Sequence, residues 1–185
     1  LIGDGANGKS TFVNVINKHL GDYSKAASSQ TLVAKGSSSI GDDLVDLVGA
    51  RLISVSETET GEALAEAKIK QMTGGDVLKG RPLYGSWLEF SIIGKILLAT
   101  NSLPQINNTD LGIWRRIQAI PFNRTFTAEQ QDKDLGGKLT KELPGILNWA
   151  IQGCLDWQEQ GLNPPQIVHD QVSAYKTEMD SIAQF

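Results

Sequence analysis

The sequence predicts an α/β fold with a mostly parallel sheet, followed by a small helical extension, and three observations predict it. Residues 3–10 read Gly-Asp-Gly-Ala-Asn-Gly-Lys-Ser, a complete G-x-x-x-x-G-K-[ST] loop of the kind that joins a strand to a helix. Compact apolar runs at 51–57 and 92–99 have the length and composition of buried strands, and helical patterns separate them. Beyond residue 126 the remaining pattern is helical. The chain therefore divides into an α/β core over 1–126, which begins inside its first strand at Leu1 and Ile2, and a helical extension over 127–185.

The loop gives each residue type a task. Backbone N–H groups of Gly3, Asp4, Gly5, Ala6, Asn7, Gly8, Lys9, Ser10 and Thr11 can cradle the phosphates of a nucleotide. Gly3 and Gly8 allow positive φ and close approach to an anion, and Lys9 sets a compact charge where the β- and γ-phosphates sit. Ser10 is the expected Mg²⁺ ligand. Phe12, Val13, Ile16 and Leu20 follow at helical spacing up to Gly21, so a helix N-terminus adds its dipole to the same anion site.

A polar, small-residue connection comes next, with a short strand possible at 31–33. A short amphipathic helix is expected over 42–48, carried by Leu44, Leu47 and Val48 and ended by Gly49. The strand over 51–57 ends in Glu57. A carboxylate there is where a phosphate-loop enzyme holds Mg²⁺ and orients the attacking water, with Glu59 as a competing general base; the plain alternative is two exposed loop acids. A helix is expected over 62–72 on the stripe Ala65, Ile69 and Met72. Residues 77–90 read as a hairpin turning near Tyr84-Gly85-Ser86. The run over 92–99 reads as a strand buried on both faces and ends at Thr100-Asn101, where an amide can touch the γ-phosphate or simply make a turn.

A loop over 103–112 leads to Ile113-Trp114-Arg115-Arg116-Ile117 and a last strand over 118–122. The two arginines fit either a surface pair or an arginine finger that stabilises charge on a transferring phosphate. Helices over 139–157 and 166–182 follow, separated by Pro164-Pro165. Trp149, Trp157, Tyr175 and Cys154 fall in packing positions, and His19 and His169 have no metal spacing.

Composition narrows the function classes. No apolar run reaches the ~20 residues that cross a bilayer, and nothing at the start reads as a signal peptide, so a soluble, cytoplasmic protein is expected. A lone cysteine excludes an internal disulfide and a cysteine-based metal cluster. The net charge of −4 argues against coating nucleic acid by bulk electrostatics. Between 68 and 95, however, Lys68, Lys70, Lys79, Arg81 and Lys95 outnumber Asp76 and Glu89, which fits either a local nucleic-acid contact or an ordinary solvated face.

Together, the loop at 3–10, Ser-Glu-Thr-Glu at 56–59, Lys-Gln-Met-Thr-Gly-Gly-Asp at 70–76, Ala-Thr-Asn at 99–101 and Gly-Ile-Trp-Arg-Arg-Ile at 112–117 resemble a known family. It is the superfamily 3 helicase domain of phage and plasmid primases, including the primase-helicases of poxviruses. The resemblance implies an AAA+-like P-loop NTPase core and an ATP-driven hexameric ring that translocates on single-stranded DNA and opens forked DNA. It implies that Lys9 and Ser10 belong to the Walker A site, that Glu57 takes the Walker B role and that Asn101 is sensor 1. It places Lys70 in the motif between Walker B and sensor 1, and Lys79, Arg81 and Tyr84 on a DNA-gripping hairpin. The finger that completes the neighbouring subunit's site maps to Arg115 or Arg116, with Arg116 preferred because it abuts the last strand. ATP and Mg²⁺ are the implied cofactors. The implied natural protein is encoded by a phage, prophage or plasmid in a bacterial cell and carries a primase-polymerase domain upstream.

Two readings from other classes compete. A monomeric P-loop kinase needs an arginine-bearing lid closing within its own chain, whereas here only Arg115 and Arg116 lie together. A nucleotide-glued oligomerisation module would tolerate loss of Glu57. Of the three, only the helicase motor predicts hydrolysis stimulated by DNA.

Overall fold

The computed structural model describes residues 1–34, 42–56, 61–107 and 111–182. Its centre is a parallel sheet in the order β1 (Ser24–Ala27), β2 (Leu52–Ser56), β5 (Lys95–Ala99). Ile2 lies beside the end of β5, forming parallel bridges to Thr100 on one side and Pro121 on the other. Helix α1 (Lys9–Leu20) packs on this sheet and ends where Gly21 turns to φ 51°. Asn17 fastens it there: its Nδ2 donates to the hydroxyl of buried Ser54 at 3.0 Å, and its Oδ1 accepts from Ser24 Oγ at 2.6 Å.

The chain departs from the sequence expectations where backbone pairing overrides side-chain pattern. Residues 31–33 form the end of a 3-10 turn (Ser29–Thr31) and one bridge, Val33 to Leu64, rather than a strand. The edge strand β1 instead lies in Ser-Lys-Ala-Ala, whose pattern carries no strand signal. Helix α2 (Asp42–Val45) is shorter than expected; Leu44 and Leu47 are buried but Val48 is exposed. Helix α3 (Glu66–Gly74) starts four residues late, because the preceding backbone is paired elsewhere: Leu64 N donates to Gln105 O, Ala65 N to Leu32 O, and Ala63 O accepts from Ala34 N. It stops at Gly75 in the left-handed conformation, φ 80°.

The expected hairpin forms: β3 (Leu78–Gly80) pairs antiparallel with β4 (Leu88–Phe90). Strand β5 is not buried on both faces, since Ile96, Leu97 and Leu98 line an apolar cavity of about 420 Å³ together with Ile2, Ile117 and Ala119. Residues 118–122 make a single bridge instead of a full strand. Pro121, the bridged residue, has no N–H to donate to a longer ladder. Helix α4 (Leu111–Trp114) precedes this segment.

The helix expected over 139–157 is two helices, α5 (Leu135–Lys141) and α6 (Leu143–Gln160), which part where Pro144 cannot continue the hydrogen-bond ladder. The packing roles expected on α6 are not met. Trp149 is 64% and Trp157 56% exposed, and Cys154 is exposed as well. The apolar side of α6 faces outward because this helix packs chiefly against α5.

Helix α7 (Gln166–Ile182) instead returns to the core. Tyr175 is buried there with its ring edge-on to Trp114, centroids 5.2 Å apart, and its hydroxyl donates to the carbonyl of Pro104. Burial, reinforced by the charges of Glu178 and Glu66, pushes the Tyr175 phenol above its ordinary pKa. The folded state therefore favours the neutral phenol. That preference contributes fully below the unfolded pKa of about 10 and is lost as the pH rises through the folded value. Tyr175→Phe is expected to cost about 1 kcal/mol at pH 7, from the orphaned carbonyl, and to weaken the alkaline loss of stability above pH 10. Urea unfolding at both pH values reads the two effects separately.

Among the described residues no helix is long and apolar enough to cross a membrane.

Candidate nucleotide site

The phosphate loop, the end of β2 and the end of β5 meet at one edge of the parallel sheet, where ligands of α/β folds gather. The loop is shaped by its glycines. Gly8 is left-handed at φ 88° immediately before α1, and a Cβ on Gly3 would lie 2.5 Å from both Asn7 Nδ2 and the Phe122 carbonyl oxygen. Ala6 also adopts positive φ, 43°.

Lys9 is 5% exposed. Its ammonium donates to the carbonyl of Gly3, to Asn7 Oδ1 at 3.2 Å and to Asn101 Oδ1 at 3.1 Å. An ammonium has three donors, so this set engages all of them. Residues 92 positions apart in sequence, Lys9 and Asn101, thus share one point at the sheet edge. Ser10 is exposed in the first turn of α1, next to Lys9, and Thr11 is half-buried beside it. The Lys9 amide donates to Asn7 Oδ1 at 3.4 Å, and a serine hydroxyl at a helix N-terminus suits a metal-chelated triphosphate. Asp4 is exposed on the loop. Glu57 and Glu59 lie outside the described residues; β2 delivers the chain to them at Ser56, directly beside Ala99.

The loop is also stitched to the segment after the arginines. Asn7 Nδ2 donates to the Phe122 carbonyl at 3.2 Å, Phe126 N to Ala6 O at 2.8 Å and Phe122 N to Ile2 O at 2.7 Å. Buried Asn7 therefore holds both Lys9 and the 122–126 segment, a role that sequence spacing does not signal.

The two arginines part company. Arg115 is exposed, and its side chain makes no hydrogen bond or ion pair among the described residues. Arg116 is half-buried and held within its own chain, Nε donating to Thr73 Oγ1 at 2.9 Å and Nη1 to Gly112 O at 2.6 Å.

The hairpin is exposed around its turn. Tyr84, left-handed at φ 62°, is 99% exposed at its tip. Leu83 and Trp87 are exposed beside it, and the Arg81 guanidinium lies 5.5 Å over the Trp87 ring. Lys79 is paired across the strands with Glu89 at 2.9 Å, both exposed, an arrangement of small net energy. Lys70 lies on α3 and is half-buried.

A family model described as "Family of unknown function (DUF5906)" matches residues 1–116. The chain belongs to that family. The DUF5906 match covers the phosphate loop, Asn101, the hairpin and the arginine pair. The chain is 36% identical over 128 residues to the "Putative helicase L207/L206" of Acanthamoeba polyphaga mimivirus, covering 68% of this chain and 13% of that protein. To the "Putative helicase 022R" of Frog virus 3 it is 28% identical over 203 aligned residues, covering 99% of this chain and 21% of that one. It thus spans about a fifth or less of the curated relatives it matches.

Among solved structures, "The A form apo structure of NrS-1 C terminal region-CTR" has a similar fold. The TM-score is 0.57 at 13% identity, over 78% of this chain and 33% of that one. The DUF5906 chain is thus a relative of viral proteins named helicases, with a mixed α/β fold shared with the NrS-1 region. Two of its features were missed by sequence reasoning: the Asn7 clasp and the Trp87 ring under Arg81. A signal for Trp87 was present in principle, since an aromatic flanking a hairpin turn in a basic stretch is a recurring stacking element.

Proposed function

We propose that this chain is the ATP-hydrolysing motor of a superfamily 3 DNA helicase, an AAA+-like core over 1–126 with an appended helical unit over 127–185, working as a ring on single-stranded DNA. The observation that carries the proposal is the convergence of Lys9 and Asn101 at the sheet edge where α1 presents its N-terminus. The loop amides and Lys9 would bind the phosphates of ATP, Ser10 and Glu57 would hold Mg²⁺, and Glu57 or Glu59 would take the proton of the attacking water. Bound Mg²⁺-ATP supplies the phosphoanhydride whose cleavage drives movement. Asn101 would orient the attacking water, and the exposed guanidinium of Arg115, unpaired among the described residues, rather than the tethered Arg116, would act on the γ-phosphate in the neighbouring subunit's site.

The hairpin grips DNA. Tyr84 and Trp87 offer flat faces to bases, and Arg81 and Lys79 offer charge to phosphates. Six copies around one channel need only a few such groups each, which reconciles the role with a net charge of −4. An upstream primase-polymerase domain and a forked DNA substrate complete the proposed natural protein. The relatives named helicases support this reading.

The deciding experiment is an ATPase assay on the full-length protein with and without single-stranded DNA. Stimulation supports the motor; hydrolysis indifferent to DNA excludes it. Tyr84→Ala is expected to weaken single-stranded DNA binding about tenfold through lost stacking, with nucleotide affinity unchanged. Fluorescence anisotropy with oligonucleotides of differing sequence should give nearly equal affinities that fall steeply with salt, and insensitivity to salt would count against the hairpin.

A further inference from the structure

The adjacent arginines divide their work, and the half of it done by Arg116 points along the chain to the hairpin. Ile113 and Trp114 anchor the turn that carries both arginines, and both are buried. From that turn the Arg116 guanidinium reaches two elements at once. Nη1 donates to the carbonyl of Gly112 in α4 at 2.6 Å, and Nε donates to Thr73 Oγ1 in the last turn of α3 at 2.9 Å. The Thr73 hydroxyl passes the connection on, donating to the Ile69 carbonyl at 2.6 Å.

Ile69 is buried, so the far end of this chain of bonds is fixed in the core. The Arg116 head also lies close to Gly74, where a Cβ would stand 3.6 Å from Nη2. Immediately beyond, Gly75 reverses the backbone at φ 80° and the hairpin begins at Leu78. The Arg116–Thr73 bond therefore lies five residues before the first residue of the hairpin.

We propose that Arg116 is a positioning residue that braces the base of the β3–β4 hairpin against the arginine-bearing turn. Movement of that turn is carried through Thr73 to the hairpin. Because Arg115 sits one residue away on the same turn, a neighbouring subunit's nucleotide that engages Arg115 shifts Arg116 with it. This last step rests on the ring-motor reading; the brace itself does not. A fork-shaped, permanently charged guanidinium suits the task, since it holds a carbonyl and a hydroxyl in fixed relative positions as a lysine ammonium cannot.

The test separates the brace from the motor. Hydrogen exchange of amides 75–80 is read in the full-length protein carrying Arg116→Ala, Thr73→Val or Thr73→Ser. Loss of the Arg116–Thr73 bond, common to the first two variants, is expected to speed exchange at the hairpin base about fivefold. Amides of α1 and β2 should be unaffected, and Thr73→Ser, which keeps the hydroxyl, should match wild type. Unchanged exchange in both Arg116→Ala and Thr73→Val overturns the brace, whatever the enzyme does.

The second measurement is DNA stimulation of ATPase in Thr73→Val. Basal hydrolysis and nucleotide affinity should stay within about twofold of wild type while stimulation by DNA is lost, a split that a merely stabilising contact would not produce. Full stimulation in Thr73→Val overturns the coupling role. If wild type shows no stimulation, the motor reading fails, and the exchange data still decide the brace.

Discussion

Lys9→Ala is expected to remove nucleotide binding and hydrolysis, by about 10²-fold or more in turnover, while leaving the fold intact. The lysine is buried against Gly3, Asn7 and Asn101, with every donor engaged. A phosphate entering the loop must therefore take one of those donors, and Asn101 is the partner best placed to yield, because it alone of the three is exposed and lies outside the loop. Removing the ammonium deletes the only compact cation in the loop and also orphans three acceptors, at a cost of about 1–3 kcal/mol in stability.

The two effects are separable by thermal unfolding with and without Mg²⁺-ATP. Wild type at saturating ligand should gain about 2–4 kcal/mol of apparent stability, whereas Lys9→Ala should show a lower baseline and no ligand-dependent shift. Asn101→Ala gives the contrasting pattern. It frees a lysine donor, so nucleotide affinity should hold or rise while hydrolysis falls. A ligand shift of wild-type size in Lys9→Ala would show that the loop does not bind phosphate.

What was legible in the sequence is what local chemistry dictates. The loop and α1 could be read because Gly3, Gly8 and Lys9 each answer a requirement of backbone or charge within a few residues. The hairpin could be read because its turn residues announce it, and β2 because its apolar run is bounded on both sides. Where backbone pairing decides, the pattern misled. Ser-Lys-Ala-Ala becomes β1 because Leu52 to Val55 offer it a ladder, and 63–65 stay out of the α3 helix because Leu64 N donates to Gln105 O and Ala65 N to Leu32 O.

Cys154, Trp149 and Trp157 follow an apolar helical pattern that would normally mean core, yet α6 turns that side outward. Periodicity specifies that a face is apolar without specifying what covers it. At the candidate site, Lys9, Asn101 and the arginines were singled out by type and order, and the fold brings Lys9 and Asn101 within hydrogen-bond distance. Asn7 was not singled out within the loop, because its partner Phe122 is 115 residues away and no spacing rule links them. Nor does sequence separate Arg115 from Arg116, since adjacent arginines look equivalent until one of them is seen to be tied to Thr73.

That distinction sets up the sharpest test of a shared site. Glu57→Gln and Arg115→Ala, made separately in the full-length protein, should each lower ATP hydrolysis by about 10³-fold, the scale seen when a finger or a water-orienting acid is removed. Mixed in equal amounts, they should recover activity. In a head-to-tail ring, an interface is competent when one subunit brings an intact acid and its neighbour an intact arginine, which random assembly provides at about one interface in four. Recovery to about a quarter of wild type is therefore the expected ceiling. Arg116→Ala in place of Arg115→Ala serves as the control for identity: as a brace within its own chain, it cannot be complemented as a finger can, so the mixture should not exceed the sum of its parts. An inactive Glu57→Gln and Arg115→Ala mixture, with both variants shown to co-assemble, would place the whole site within one chain and move the monomeric phosphate-loop enzyme ahead of the ring.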